Sequence, residues 1–189
     1  MNETQRVKKV LIKQMADAGI NAITLTGGEP MLFPDRVDRV IDVIREEIPE
    51  GIETDIVTNG VNLKGILSLR NLDHLYSIHM SRHMISDDDN RTLMGADTAS
   101  LDEIKSIGDR IRDKGKLVFN CVLQKGGVDT IEKIKEYLEM ASEAKVLNTS
   151  FVGMFHANEY CRTHYIDPRT LQFTEDEGFT VWNTFCDHS

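Results

Sequence analysis

The chain has 189 residues, 40% hydrophobic and 28% charged, a composition typical of a globular protein that can bury a core. Its 31 acidic residues outnumber 22 lysines and arginines, and the net charge of −9 would repel a nucleic-acid backbone. No apolar run approaches the roughly 20 residues of a membrane helix, and the three cysteines do not form a disulfide framework. We therefore expect a cytoplasmic protein with neither a nucleic-acid nor a membrane partner.

Hydrophobic periodicity predicts that helices and strands alternate along the chain. The predicted elements, in order, are a helix at 3–18, a strand at 22–26, a helix at 34–48, a strand at 53–60, a short helix at 63–70, a strand at 74–81, a polar loop at 82–99, a helix at 100–115, a strand at 116–124, a helix at 129–144 and a strand at 146–154. Ser100 and Glu103 predict a capping box at a helix start. The remaining sequence shows no clear period.

Strands separated by helix-length segments predict parallel strands joined by right-handed crossovers, and hence an α/β fold. The strands are almost continuously apolar, so we expect both faces of the sheet to be covered. In such folds, functional groups lie just beyond the carboxyl ends of the strands. That rule predicts one polar rim, which we infer to bind a small molecule.

The rim residues are those that end each strand or follow it. They are Gly27, Gly28, Glu29 and Pro30 after the first strand, Thr58 and Asn59 after the second, Ser81, Arg82 and His83 after the third, Asn120 in the fourth, and Val152 and Gly153 at the fifth. Glycines let a backbone approach a ligand closely, a glutamate can accept hydrogen bonds from an ammonium, and Pro30 stiffens the turn. The alternative is a simple tight turn before a helix. A phosphate loop is excluded, because no Gly-Lys-Ser/Thr follows.

The segment "TLTGGEPML" resembles the glycine-rich motif of the radical S-adenosylmethionine (SAM) enzymes. "DIVTNG" resembles their next strand end, and "IHMSRHMISDDDNRTLMG" and "KLVFNCVLQKGGVDTIEKIKEYLEMA" are similar to segments of the branch containing the molybdopterin-biosynthesis enzyme. The resemblance covers residues 3 to 153. It implies a partial (β/α)6 TIM-like barrel whose first strand is missing, with the barrel at 1–153 and an extension at 154–189.

The resemblance also implies a role for each rim residue. Gly27, Gly28 and Glu29, stiffened by Pro30, would hold the amino group of SAM, and Thr58 and Asn59 would line the cavity. Ser81, with Arg82, would contact the carboxylate or ribose, as would Asn120, while Val152 and Gly153 would lie near the adenine. His83 is a candidate on the substrate side. A packed or solvated histidine is the alternative reading.

Members of this family hold a [4Fe–4S] cluster with a Cys-x3-Cys-x2-Cys loop, which this sequence lacks. Cys121 is expected to be a core residue, and Cys161 and Cys186 form no recognisable ligand set. We therefore expect no metal ligands and no catalytic residues in this chain. The leading hypothesis is a fragment of an iron–sulfur oxidoreductase, inactive alone, which generates a 5′-deoxyadenosyl radical to abstract hydrogen from an unknown substrate. Alternatives are a non-catalytic SAM- or nucleoside-binding module, or a chain whose partner supplies the cluster.

Two further expectations follow from the same hypotheses. The substrate could be a small molecule or a peptide, and whether the chain is itself an enzyme is left open. An uncovered barrel edge predicts self-association.

The acidic run 86–90 could bind a divalent ion, but a solvated loop and helix cap explain it more simply, because consecutive carboxylates do not surround an ion.

Overall fold

The computed structural model describes residues 3–48, 51–111 and 116–171. The strands are β1 (Ala22–Leu25), β2 (Glu53–Thr58), β3 (Ser77–Ser81), β4 (Leu117–Val122) and β5 (Asn148–Val152). The α-helices are α1 (Glu3–Asp17), α2 (Pro34–Glu47), α3 (Asp87–Met94), α4 (Leu101–Arg110), α5 (Ile131–Glu143) and α6 (Glu159–His164). Short 3-10 helices lie at Pro30–Leu32, Leu63–Ser68, Leu72–His74 and Pro168–Thr170.

The strands form one open parallel sheet in the order β1-β2-β3-β4-β5, so each strand pairs with the next strand of the chain. The predicted α/β class and the parallel strands are thereby confirmed, and the arrangement is that of a partial barrel. Among the described residues, none pairs with the outer side of β1. The parallel order brings all five carboxyl ends to one edge of the sheet, where the rim was predicted.

The two faces of the sheet differ in polarity and in burial. The outer face packs against the helices, and its Ile56, Ile78 and Phe119 have no exposed surface. The inner face is open and largely polar, with exposed or half-buried positions that alternate with the buried ones along β2 and β4. The expectation that both faces are covered was therefore wrong. Valines on the inner face interrupt its polar pattern, so the sequence does not show the two-residue period of a half-buried strand clearly.

Local sequence accounts for the helices that follow β3. The predicted capping box is present: Ser100 Oγ accepts from Glu103 N–H, and the Glu103 side chain accepts from Ser100 N–H. The predicted loop at 82–99 contains α3, which Ser86 caps and which ends at Gly95 with φ of 61°. The helix predicted at 100–115 ends earlier, at Arg110, because Ile111 already has an extended backbone. Residues 112–115 lie outside the described residues. None of the described helices is long and apolar enough to cross a membrane.

Candidate functional site at the carboxyl ends of the strands

The Gly27–Gly28 turn after β1 presents an open polar backbone. Both glycines are exposed and have positive φ, +99° and +56°, which a side chain would strain. No atom lies within 4 Å of a Cβ built on either residue. Within the described residues, neither backbone amide nor carbonyl of this pair makes a hydrogen bond. The turn therefore offers unused donors and acceptors to a ligand.

Glu29 holds this turn against the end of β2. One carboxylate oxygen accepts from Met31 N–H at 3.0 Å and from Thr58 Oγ–H at 2.6 Å. The other oxygen accepts from Asn59 N–H at 2.6 Å. The side chain was expected to grip an ammonium, but three donors of the chain itself already occupy it. Its role in the structure is to position the glycines, with Pro30 at the start of the following 3-10 helix.

Thr58 and Asn59 serve the same connection. Thr58 was expected to line the cavity, but it is 1% exposed and its hydroxyl bonds Glu29 and accepts from Gly60 N–H at 3.1 Å. Asn59 is half-buried, and its Oδ1 accepts from Val61 N–H at 3.0 Å. Thr58 is therefore buried beneath the rim, whereas Asn59 lies at the edge of the rim.

Ser81 and Asn120 lie side by side on the inner face. They are register partners on β3 and β4, and both are half-buried. Asn120 Oδ1 lies 3.3 Å from Nδ1 of His79. Within the described residues the Ser81 hydroxyl has no hydrogen-bond partner. Together they present a hydroxyl and an amide toward the open side of the sheet.

Arg82 does not reach the rim. The residue is 1% exposed, and it points to the helix side because side chains alternate along the strand. Its Nη2 donates to Ile85 O at 2.7 Å and to Asp87 Oδ1 at 3.0 Å. Nε and Nη1 are buried and have no hydrogen-bond partner among the described residues. Arg82 therefore organises the loop after β3, which corrects its expected contact with a ligand carboxylate.

His83 is held at the top of β3 by two hydrogen bonds. Its backbone N–H donates to Asn90 Oδ1 at 2.8 Å, and its Nδ1 accepts from Val122 N–H at 3.2 Å. Burial lowers the pKa of the imidazole below its usual 6.5, although the backbone carbonyl of Asn120 acts in the opposite direction. Burial therefore favours the neutral form of the ring.

Val152 and Gly153 end β5 beside the segment that follows it. Val152 is 43% exposed and lies in register with Val122, on the inner face. A Cβ on Gly153 would lie 2.9 Å from Cγ of Pro168, so that glycine permits close packing of the 3-10 helix at Pro168–Thr170. Val152 is thus open to a ligand, whereas Gly153 is partly covered by the chain.

Sequence reasoning missed a second polar row deeper on the inner face. Thr24, Asp55 and Ser77 are register partners on β1, β2 and β3. Ser77 Oγ donates to Asp55 Oδ1 at 2.6 Å. Polar residues alternate with apolar ones in "ETDIVT" and "SIHMS". A search for a period of two residues would have detected this polar row.

The described residues do not fit a [4Fe–4S] cluster, which needs thiolates. Cys121 is buried, and burial raises the pKa of its thiol to about 12. Cys161 is half-buried on α6, and Cys186 lies outside the described residues. In the part of the chain that the structure describes, no three His, Cys, Asp or Glu side chains come together as a metal site would require. Cys121 is confirmed as a core residue.

A cavity of about 420 Å³ lies at the opposite, amino-terminal end of the sheet, lined by residues such as Gly51, His74 and Tyr76. Its position at the ends where β1, β2 and β3 begin separates it from every residue of the rim. We take the rim as the candidate site, because the carboxyl ends of parallel strands are where ligands bind in α/β folds.

A family model described as the Radical SAM superfamily matches residues 3–141. The S-adenosylmethionine-dependent nucleotide dehydratase of Flammeovirga pacifica is 33% identical over 91 residues, which are 48% of this chain and 30% of that protein. Molybdenum cofactor biosynthesis protein 1 of Dictyostelium discoideum is 30% identical over 141 residues, which are 72% of this chain and 21% of that protein. The chain thus spans less than a third of the length of either curated relative.

Solved structures show the same fold at lower identity. SuiB of Streptococcus suis bound to its precursor peptide SuiA has a TM-score of 0.56 at 21% identity, over 78% of this chain and 32% of that one. TYW1 with a lysine–pyruvate adduct has a TM-score of 0.57 at 16% identity, over 85% of this chain and 55% of that one. The family match, the open parallel sheet and the relative from molybdenum cofactor biosynthesis agree. The chain belongs to the radical SAM superfamily and resembles its molybdopterin-biosynthesis branch.

Proposed function

We propose that the rim binds SAM and that the chain is the SAM-binding part of a radical SAM enzyme. The open backbone of Gly27 and Gly28, which Glu29 holds in place, would accept the ammonium of the methionyl group. Ser81 and Asn120 would donate to its carboxylate or to the ribose hydroxyls, and Val152 would lie against the adenine. The observation that carries the proposal is the glycine turn, whose exposed backbone groups have no partner among the described residues.

In radical SAM enzymes a [4Fe–4S] cluster supplies the electron that cleaves SAM to a 5′-deoxyadenosyl radical. Since the described residues do not fit that cluster, its ligands would lie elsewhere in a longer protein or on another chain. The substrate would lie on the polar inner face, between the rim and the row of Thr24, Asp55 and Ser77. A carboxylate and hydroxyls in that row favour a substrate that carries hydrogen-bond donors. Relatives named for a nucleotide dehydratase and for a precursor peptide support either a small molecule or a peptide.

Calorimetric titration of the chain with SAM, without iron, tests the binding step. We expect saturable binding to the wild type. Ser81→Ala and Asn120→Ala should each weaken affinity by roughly three- to tenfold, the effect of one net hydrogen bond. The matched control is Ser106→Ala on the exposed face of α4, which should bind like the wild type. Absence of binding to the wild type would overturn the proposal.

A second candidate function is a SAM-binding module without radical chemistry. The misfit between the described residues and a cluster favours it. The chain, incubated without oxygen with iron, sulfide, SAM and a strong reductant, should then form no 5′-deoxyadenosine. Release of 5′-deoxyadenosine by this chain would exclude the module and would show that it assembles its own cluster.

A further inference from the structure

His83 stands where the inner faces of β3 and β4 end. It is two residues beyond Ser81, so its side chain extends on the same side of the strand. Its neighbour across the sheet is Val122, two residues beyond Asn120. The ring therefore lies next to the pair of residues assigned to the ligand.

Its hydrogen bonds determine which ring nitrogen carries the proton. Nδ1 accepts from the backbone N–H of Val122 at 3.2 Å, and an accepting nitrogen carries no proton. The proton of the neutral ring is then on Nε2. Within the described residues Nε2 has no hydrogen-bond partner. It is also not one of the fully buried polar atoms without a partner, so a ligand can reach it. An N–H donor is thus available at the rim.

The neighbouring titratable groups do not favour a charged ring. Arg82 is paired with Asp87, and Tyr137 Oη–H donates to the Arg82 carbonyl at 2.7 Å. Cys121 Sγ lies 3.9 Å from the His83 carbonyl, and His79 is paired with Asn120. No carboxylate among the described residues contacts the His83 imidazole. A second proton, on Nδ1, would also point at the N–H of Val122, and the two donors would repel each other.

We propose that, at neutral pH, His83 is a neutral hydrogen-bond donor, whose Nε2–H binds a carboxylate or hydroxyl oxygen of the bound ligand, and not a general acid or base. The assignment of SAM as that ligand rests on the proposed function. With Nδ1 engaged by Val122 and Nε2 already protonated, the ring has no free lone pair to take a proton from a substrate. His83 is therefore a positioning residue for the ligand.

The Asn120 carbonyl is the competing partner of the ring. It lies near enough to influence the pKa of His83. In the other tautomer, the proton on Nδ1 would be donated to this carbonyl. That tautomer would leave the Val122 N–H without its acceptor and would present a lone pair at Nε2. With the proton on Nε2, His83 donates a hydrogen bond to the ligand. With the proton on Nδ1, it presents a base instead. The position of this one proton therefore determines the chemistry of His83.

Two-bond ¹H–¹⁵N correlation spectra of the full chain measure that position directly. The His83 signal is assigned by its loss in His83→Asn, and His74, at the opposite end of the sheet, serves as an internal reference far from the rim. We expect the Nε2–H pattern at pH 7 to 8 and a shift of this signal when SAM is added. A Nδ1–H pattern, or protonation at pH 7, would overturn the neutral donor.

Three variants separate the bond to Val122 from the bond to the ligand. His83→Asn retains an acceptor near the position of Nδ1 but lacks the reach of Nε2, so it should melt like the wild type and bind SAM roughly three- to tenfold more weakly. His83→Gln restores the donor and should recover most of the affinity. His83→Phe loses both groups and should be less stable as well as weaker in binding.

If all three variants bind SAM as tightly as the wild type does, the contact between His83 and the ligand is overturned. If the wild type does not bind SAM at all, the proposed function fails and the ligand contact fails with it. The nitrogen spectrum still decides the tautomer in that case, so the two failures remain distinguishable.

Discussion

Glu29 is a carboxylate whose three hydrogen-bond donors all belong to the chain. The sequence predicted the position of this acid at the rim, but not which groups it bonds. The donors come from its own turn and from a strand end about thirty residues away, and no local pattern shows that pairing. Thr58 and Arg82 were misplaced for a related reason, because a residue at or just after the end of a strand can face either side. Ser81 and Asn120 alternate with buried core residues and lie on the inner face, and their contact with a ligand stays a prediction.

Glu29→Ala is therefore expected to destabilise the fold by about 2 kcal/mol, because it removes charge-assisted hydrogen bonds and leaves the partly buried donors unpaired. Urea denaturation followed by circular dichroism measures the free energy of unfolding. Glu136→Ala, on the exposed face of α5, is the matched control and should change it little. Unchanged stability of Glu29→Ala together with lost SAM binding would instead mean that the carboxylate contacts the ligand directly.

His83 predicts a pH dependence of stability. Burial lowers its folded pKa below 6.5, so between these two values the unfolded chain binds more protons than the folded one. The contribution to stability is complete above the unfolded pKa and is lost as the pH falls through the folded pKa. From pH 7 to pH 5 the wild type should lose more unfolding free energy than His83→Asn. Parallel pH profiles of the two proteins in urea denaturation would contradict this account.

The loop after β3 is an element whose order depends on buried polar side chains. Asn90 is 1% exposed; its Oδ1 accepts from His83 N–H and Met84 N–H, and its Nδ2 donates to Thr98 Oγ. Asp87 accepts from Arg82 and from Leu101 N–H, at the start of α4. The segment 86–90 caps α3, as its simpler interpretation predicted. It also anchors the loop through the buried Asn90, which a solvated loop did not predict.

Asn90→Ala should destabilise the protein by about 2 to 4 kcal/mol, because it leaves buried donors and an acceptor without partners. The control is Asp88→Asn on the same helix, whose wild-type side chain is 98% exposed and which should stay within about 0.5 kcal/mol of the wild type. Thermal unfolding and SAM affinity should be measured together, because the same change frees the backbone of His83. Equal stability of the two variants would show that the loop does not depend on Asn90.

Among the elements, the order of helices and strands and the capping box of α4 were confirmed, since periodicity and local caps are encoded in short segments. The polarity of the inner face was not predicted. Val57 and Val118 lie in register with His79 in that face and make the strands read as continuously apolar. Hydrophobic periodicity did not predict the helix α3, because three aspartates at its start resemble a loop.

At the scale of the whole molecule, the outer side of β1 and the adjacent α1 favour association. Val10 and Leu11 on α1 are each more than half exposed, and none of the described residues pairs with the outer side of β1. We expect association that rises with concentration in sedimentation velocity, and Leu11→Lys should reduce it. A monomer at every concentration tested would contradict this prediction.

The division into a barrel at 1–153 and an extension at 154–189 stays a prediction. The extension contacts the barrel through Tyr160 Oη, which donates to Gln124 Oε1 at 2.8 Å, and through Lys125 N–H, which donates to the His164 carbonyl at 2.9 Å. Sequence periodicity could not predict these contacts, since they join a segment without a regular pattern to a turn after β4.

The central claim, that the rim binds SAM, is tested most directly by adding SAM to the ¹⁵N-labelled chain and following its backbone amide signals. We predict shifts at Gly27, Gly28, Ser81 and Asn120, with Gly51 and Tyr76 at the amino-terminal end of the sheet unchanged. Shifts confined to that opposite end, or no shifts at a saturating concentration, would contradict the account.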